Sequence, residues 1–124
     1  MLSSAPVAPT LAVNDLERAR RFYEGTVGLE IEAQVGETVR YRCGGGTGLA
    51  IFERPMTPID RTVAAFEVAD IDAEVAELRG RGVEVEGVIT LPTGIRRAFF
   101  KDPDGNIIGM RQVEEALEAA GLSE

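Results

Sequence analysis

The chain contains no histidine and no tryptophan, and it has a single cysteine among its 124 residues. The missing histidine removes the commonest metal ligand and the usual acid or base near neutral pH. The single cysteine, Cys43, cannot form a disulfide within the chain, which is typical of a reducing compartment, and no histidine is present to activate it. We therefore expect a cytoplasmic protein in which Cys43 is structural.

Positive charge is also scarce. The 13 Lys and Arg residues against 21 Asp and Glu residues give a formal net charge of -8 at pH 7. Such a surface repels a phosphate backbone, which excludes nucleic acid as the expected partner, whereas a cationic or zwitterionic small molecule is tolerated. Solubility alone also explains the acidity. The N-terminus does not resemble a signal peptide, and no run reaches the ~18 apolar residues of a membrane span, so we expect no membrane association.

What the chain does contain is an internal repeat. Val13–Leu16 opens an amphipathic helical stretch that ends near Gly28, and Val68–Ile71 opens another that ends near Gly82. Each copy predicts a strand, a helix and three more strands, which is too little apolar surface to bury alone. We therefore expect the copies to pair around one concave sheet, with a cleft between them for a small molecule.

The pattern within each copy predicts a domain organisation. We expect one domain with a first module over about 6–54, a proline-bearing linker over 55–61, a second module over 62–113 and a short helix or frayed tail over 114–124. Apolar and polar residues alternate over 30–35, which predicts a half-buried strand. Gly44–Gly48 precedes a strand rather than a helix, so it predicts a hairpin loop and not a phosphate loop. Asp102–Gly105 predicts a tight turn.

Two sets of residues match a known pattern. Val13–Ala19 with Phe22–Glu24 and Gly28-Leu29, followed by Phe100–Asn106, resembles the vicinal oxygen chelate superfamily of glyoxalase I, extradiol dioxygenases, fosfomycin-modifying enzymes and bleomycin-type resistance proteins. The resemblance covers nearly the whole chain. It implies an α+β fold of two tandem βαβββ modules that form a curved mixed sheet around a cleft, and it implies a homodimer. It does not select a function, because one fold hosts many chemistries.

The resemblance also implies where a metal would bind. Enzymes of that superfamily typically hold a divalent ion with His, Gln or Glu on the first strand of each module and with carboxylates on the last strands. Carried over from the matched motifs, these positions fall on Ala8, Val63, Gly109 and either Ala50 or Ile51. None of these side chains binds a metal. We therefore expect no metal and no other cofactor.

Strand alternation places Thr10, Glu53, Glu67 and Arg111 on the face of the vacated positions. The candidate ligand-binding residues are these four and Tyr41. Glu53 and Glu67 are also candidate catalytic residues, because a carboxylate in an apolar pocket can transfer protons. The alternative is that both carboxylates form structural ion pairs or lie in water at strand ends.

Four arginines add a further possibility. Arg40 with Arg42, and Arg96 with Arg97, are the right side chains to clamp an anionic group, although surface solubility also explains them.

These residues leave three functional hypotheses open. The first is a protein that binds a small organic molecule in the cleft without a metal. The second is a lyase or isomerase that uses a cleft carboxylate or an atypical metal site. The third is a non-catalytic partner or regulatory subunit on the same scaffold.

Overall fold

A computed structural model describes residues 1–4, 7–55 and 61–112. The described residues divide into two compact units. The first unit holds the chain up to residue 55 together with the turn Asp102–Asn106, and the second holds 61–101 and 107–112. Most of the predicted linker, over 56–60, and the tail predicted after residue 113 lie outside the described residues.

The first unit has a four-stranded sheet with one helical layer on it. Its elements are β1 (Thr10–Val13), α1 (Leu16–Arg20), a π-helical segment (Arg21–Val27), β2 (Glu30–Val35), β3 (Thr38–Arg42) and β4 (Gly48–Glu53). The strand order is β1-β4-β3-β2, and β1 runs parallel to β4. The late start of β1, after Pro9, agrees with the rule that proline lies at strand ends because it donates no ladder hydrogen bond.

The second unit repeats this arrangement. Its elements are β5 (Thr62–Glu67), α2 (Ile71–Gly80), β6 (Ile89–Thr90), β7 (Arg96–Lys101) and β8 (Ile107–Gln112). The order β5-β8-β7-β6, with β5 parallel to β8, matches the first sheet strand for strand. The predicted repeat and the α+β fold are therefore confirmed. No helix among the described residues is long and apolar enough to cross a membrane.

The two helices begin as the sequence predicts. Asp15 and Asp70 are extended N-cap residues whose carboxylates accept hydrogen bonds from the backbone N–H groups of Arg18 and Ala73, each at 3.1 Å. The helical stretch of the first unit ends at Gly28, with a φ of 86° that favours glycine. The stretch is not one regular helix, however, because α1 continues as the π-helical segment Arg21–Val27.

One face of each sheet packs against its own helix. We call the opposite side, which packs against neither α1 nor α2, the helix-free face. The packed faces supply most of the apolar core: Leu11, Val13, Val39, Leu49 and Ile51 in the first unit, and Ala98, Phe100, Ile108 and Met110 under α2 in the second. Alternation along the strands assigns Thr10, Ala50 and Arg40 to the first helix-free face, and Ala65, Gly109 and Phe99 to the second.

Strand β2 differs from its prediction. All six residues of Glu30–Val35 are exposed, including Val35 at 79%. The expectation of a half-buried strand is wrong because β2 is the edge of its sheet and carries a β-bulge between Ile31 and Ala33, which breaks the alternation of the two faces.

Candidate functional site

The helix-free face of the second sheet carries a row of three charged side chains. Glu67 on β5 lies opposite Arg111 on β8, which lies opposite Arg97 on β7. Nη2 of Arg111 is 3.5 Å from Oε1 of Glu67. The guanidinium of Arg97 lies over the ring of Phe99, 5.5 Å from its centroid. The structure thus brings together Glu67 and Arg111, two of the predicted site residues, and adds Arg97 beside them.

The neighbouring row on the same face is small and apolar. It consists of Ala65, Gly109 and Phe99. A Cβ atom at Gly109 would lie 3.3 Å from Cγ2 of Thr62, 3.4 Å from Cβ of Ala65 and 3.5 Å from Cε1 of Phe99. These short distances show that Gly109 is closely surrounded by apolar atoms, so the row forms an apolar floor next to the charged row.

The first sheet arranges its charges differently. Thr10 is exposed on β1 and shares a row with Ala50 and Arg40. The bulge in β2 lets Glu32 reach two arginines, with its carboxylate oxygens 3.7 Å from Nε of Arg40 and 3.8 Å from Nε of Arg42. Both arginines of this face therefore have a carboxylate nearby.

Tyr41 lies on the packed face of its sheet rather than the helix-free face. Its side chain is buried, and its hydroxyl donates to Oε2 of Glu24 at 2.8 Å. Arg20 donates to both carboxylate oxygens of Glu24, at 2.7 and 3.3 Å. These hydrogen bonds with Arg20 lower the pKa of Glu24, whereas burial and then Glu24 raise the pKa of Tyr41. Tyr41 is thus part of the contact between sheet and helix, and its predicted role in ligand binding gains no support.

Glu53 also lies on the packed face. It pairs with Val13, and its Oε1 accepts a hydrogen bond from the backbone N–H of Leu16 at 2.9 Å. The prediction that Glu53 shares a face with Thr10 is wrong, because the register places Thr10 opposite Ala50, which is three residues before Glu53 on the strand. In the second unit, Oε1 of Gln112 accepts from the N–H of Ile71 at 2.8 Å. This repeated contact makes Glu53 an anchor for the start of α1.

The turn Asp102–Asn106 carries a buried polar network that the sequence reasoning missed. The Asp102 carboxylate accepts from the Tyr23 hydroxyl at 2.8 Å, from the Asp104 and Asn106 N–H groups at 2.9 Å and from the Asn106 side chain at 2.8 Å. Arg18 pairs with Asp104 at 2.7 Å. Burial, and then Asp102, raise the pKa of Tyr23. The sequence Asp-Pro-Asp-Gly-Asn could have indicated hydrogen bonds within this turn. It could not have indicated Tyr23 as a partner, because 79 residues separate Tyr23 from Asp102.

The comparisons agree with this geometry. Residues 6–110 match the profile of the Glyoxalase/Bleomycin resistance protein/Dioxygenase superfamily. The chain belongs to this superfamily. It is 31% identical over 109 residues to the uncharacterized protein YwkD of Bacillus subtilis (strain 168), a match that covers 73% of this chain and 83% of YwkD.

Solved structures of the superfamily fold are also similar. The antibiotic binding protein TnmS3 from Streptomyces sp. CB03234 is 36% identical, with a TM-score of 0.77 over 90% of this chain and 98% of TnmS3. The protein SMU.1112c is 26% identical, with a TM-score of 0.79 over 88% of this chain and 98% of its own.

The side chains at the superfamily's metal positions do not fit a metal. Ala8 precedes β1, Ala50 lies on β4, and Gly109 is enclosed by apolar atoms. Among the described residues, no group of three or more His, Cys, Asp or Glu side chains is placed to hold an ion. Divalent metals need several oxygen, nitrogen or sulfur donors, so these positions supply no ligand set.

Proposed function

We propose that this superfamily member binds a small organic molecule on the helix-free face of the second sheet, without a metal and without converting it. The observation that carries the proposal is the apolar floor of Ala65, Gly109 and Phe99 beside the charged row of Glu67, Arg111 and Arg97. Ligand sites combine apolar area, which supplies burial, with a few polar groups that orient the ligand. The 36% identity to TnmS3, an antibiotic binding protein, supports the same class of function.

Binding is favoured over catalysis by the positions of the two candidate carboxylates. Glu53 is engaged with the N–H of Leu16 on the packed face. Glu67 is 69% exposed and next to Arg111, so it lacks the apolar enclosure that would prepare it for proton transfer. The alternative of a lyase or isomerase would have to use Glu67 in this solvated setting.

Metal independence is supported by the donor chemistry of the mapped positions. Alanine and glycine at residues 8, 50 and 109 have no metal-binding atom in their side chains. Thr10 is exposed on the helix-free face of the first sheet, and its role in ligand binding stays a prediction.

We also propose that the protein is a cytoplasmic homodimer. The lone Cys43 supports a reducing compartment, and burial raises the pKa of its thiol, which keeps it in the less reactive protonated form. Light scattering over a range of concentrations tests the dimer, and a monomer at all concentrations would contradict it.

The test is thermal unfolding with two sets of additives. One set contains planar aromatic compounds with and without charged groups, and the other contains Mn, Ni, Zn, Co and Mg salts. Because a ligand at 100 times its Kd stabilises by about 2.7 kcal/mol, we expect at least one compound to raise Tm by about 5 °C or more. That compound should be recovered unchanged, and no metal should raise Tm. Bound stoichiometric metal, or chemical conversion of the compound, would overturn the proposal.

A further inference from the structure

We propose that the ligand is an organic anion, an aromatic carboxylate, whose negative group binds between Arg97 and Arg111 while its ring packs on Phe99. This inference rests on the proposed function and adds the chemical class of the ligand. Arg97 and Arg111 lie directly opposite each other on neighbouring strands of the second sheet and point to the same face. Like charges in this arrangement destabilise a sheet unless an opposite charge lies between them.

The protein itself supplies little of that opposite charge. Among the described residues, Arg111 has one carboxylate contact, with Glu67 at 3.5 Å, and the two side chains are 49% and 69% exposed. Arg97 has no ion pair among the described residues, and its buried Nε has no hydrogen-bond partner there. Lys101 adds a third cation to the same face of β7. Among the described residues, this face thus carries three cations and one carboxylate, in a chain whose net charge is -8.

The neighbouring arginine shows that a counter-ion can be built into this strand. Arg96 precedes Arg97 on β7, but it lies on the packed face and donates to both carboxylate oxygens of Asp72, at 2.8 and 3.1 Å. In the described part of the chain, the Arg97 guanidinium contacts the ring of Phe99. The unpaired guanidinium is therefore a feature of one face, where an incoming carboxylate would complete the pairing.

The apolar residues beside the two arginines indicate the rest of the ligand. Phe99 continues the apolar floor of Ala65 and Gly109 directly beside the arginine pair. An aromatic ring would pack on this floor. Guanidinium groups bind carboxylates with paired N–H donors. An aromatic carboxylate would therefore contact both the apolar row and the charged row.

The experiment compares 1-naphthoate with 1-naphthamide, which has the same ring but no charge. Calorimetric titration of the full chain at 50 mM salt should give at least fivefold tighter binding of naphthoate. Arg97→Gln and Arg111→Gln should each weaken naphthoate binding by about 5- to 50-fold and leave naphthamide binding unchanged. The matched control is Arg81→Gln, which removes an arginine paired with Glu77 on the exposed side of α2 and should change neither affinity.

Two results would overturn the inference and leave the proposed function standing. If naphthoate and naphthamide bind equally to the parent protein, the anion preference is absent while small-molecule binding stands. If neither binds but another aromatic compound stabilises the protein, the ligand class is wrong and the proposed function again stands. Failure of every compound in the thermal screen overturns both.

A measurement without ligand tests the same arginine pair. Because Arg97 and Arg111 repel each other in the free protein, Arg97→Gln should raise Tm at low salt by about 1–3 °C, and the gain should disappear at 1 M salt. Arg81→Gln should show no such gain. A lower Tm for Arg97→Gln at low salt would contradict the unpaired charge.

Discussion

The two sheets have the same strand order and the same choice of faces, yet the arginines on their helix-free faces have different carboxylate contacts. In the first sheet, Arg40 and Arg42 both approach Glu32, which the β-bulge of the edge strand brings within reach. In the second sheet, Arg97 has no carboxylate among the described residues and Arg111 has only Glu67. The repeated fold therefore sets where the side chains point, whereas a local irregularity decides which arginines have a carboxylate within reach.

The connections between the last two strands of each sheet also differ. In the first sheet the connection is glycine-rich, exposed and held by contacts such as that from Thr47 to the Gly44 carbonyl. In the second sheet, the Asp102 carboxylate of the connection is buried and accepts four hydrogen bonds, including one from Tyr23. The same place in the repeat is thus a surface loop in one copy and a buried polar core in the other.

The largest expected effect comes from removing the buried carboxylate of Asp102. Asp102→Ala leaves the Tyr23 hydroxyl and three N–H donors without their acceptor in a buried site, so the free energy of unfolding should fall by about 3–5 kcal/mol. Thr47→Ala, the matched change in the first turn, should cost less than about 1 kcal/mol because the site is exposed. Urea unfolding measures both. Equal losses would show that the two turns contribute alike.

The next effect concerns Glu53 and its counterpart Gln112. Glu53→Ala should lower the free energy of unfolding by about 1–2 kcal/mol, because the N–H of Leu16 loses its acceptor. Glu53→Gln should lower it by about 0.5 kcal/mol or less, because the amide oxygen of Gln112 already accepts the equivalent hydrogen bond from Ile71. Denaturant unfolding of the two variants tests this. If Glu53→Gln abolished ligand conversion while stability was unchanged, Glu53 would be catalytic instead.

A smaller effect depends on pH. Arg20 lowers the pKa of Glu24 below its usual 4.5, so the ion pair stabilises the fold above about pH 4.5 and loses this contribution as the pH falls through the folded pKa. Glu24→Gln should therefore cost about 0.5–1 kcal/mol at pH 7 and less at pH 3.5, given the partial exposure of the pair. Arg20→Gln, which removes the cause of the shift, should show the same trend. If Glu24→Gln lost more stability at pH 3.5 than at pH 7, the result would contradict the ion pair between Arg20 and Glu24.

The smallest effect sharpens the contrast between the two helix-free faces. Glu67→Gln removes the carboxylate that competes for Arg111, so 1-naphthoate should bind about two- to fivefold more tightly. Glu32→Gln makes the matched change in the first sheet and should leave this affinity unchanged. Calorimetric titration measures the affinity of both variants for 1-naphthoate. An equal change in both would contradict an anion site on the second sheet.

Local signals in the sequence were sufficient for much of the fold. Asp15 and Asp70 each precede an amphipathic stretch, and both cap a helix, because N-capping depends on contacts within three residues. Glu67 and Arg111 were expected on one face and lie there. The π-helical segment and the bulge in β2 were not foreseen, since neither has a pattern that distinguishes it from a regular helix or strand.

The amino-acid sequence by itself determined the repeat and the helix starts, because these depend on residue type and local spacing. Only the tertiary structure decided that Glu53 faces α1 and that Tyr41 is buried against Glu24. It also decided that Arg96 is paired with Asp72, whereas Arg97 has no ion pair within the described ranges. Alternation divides a strand into two faces, but which face meets the helix depends on the register with strands distant in sequence.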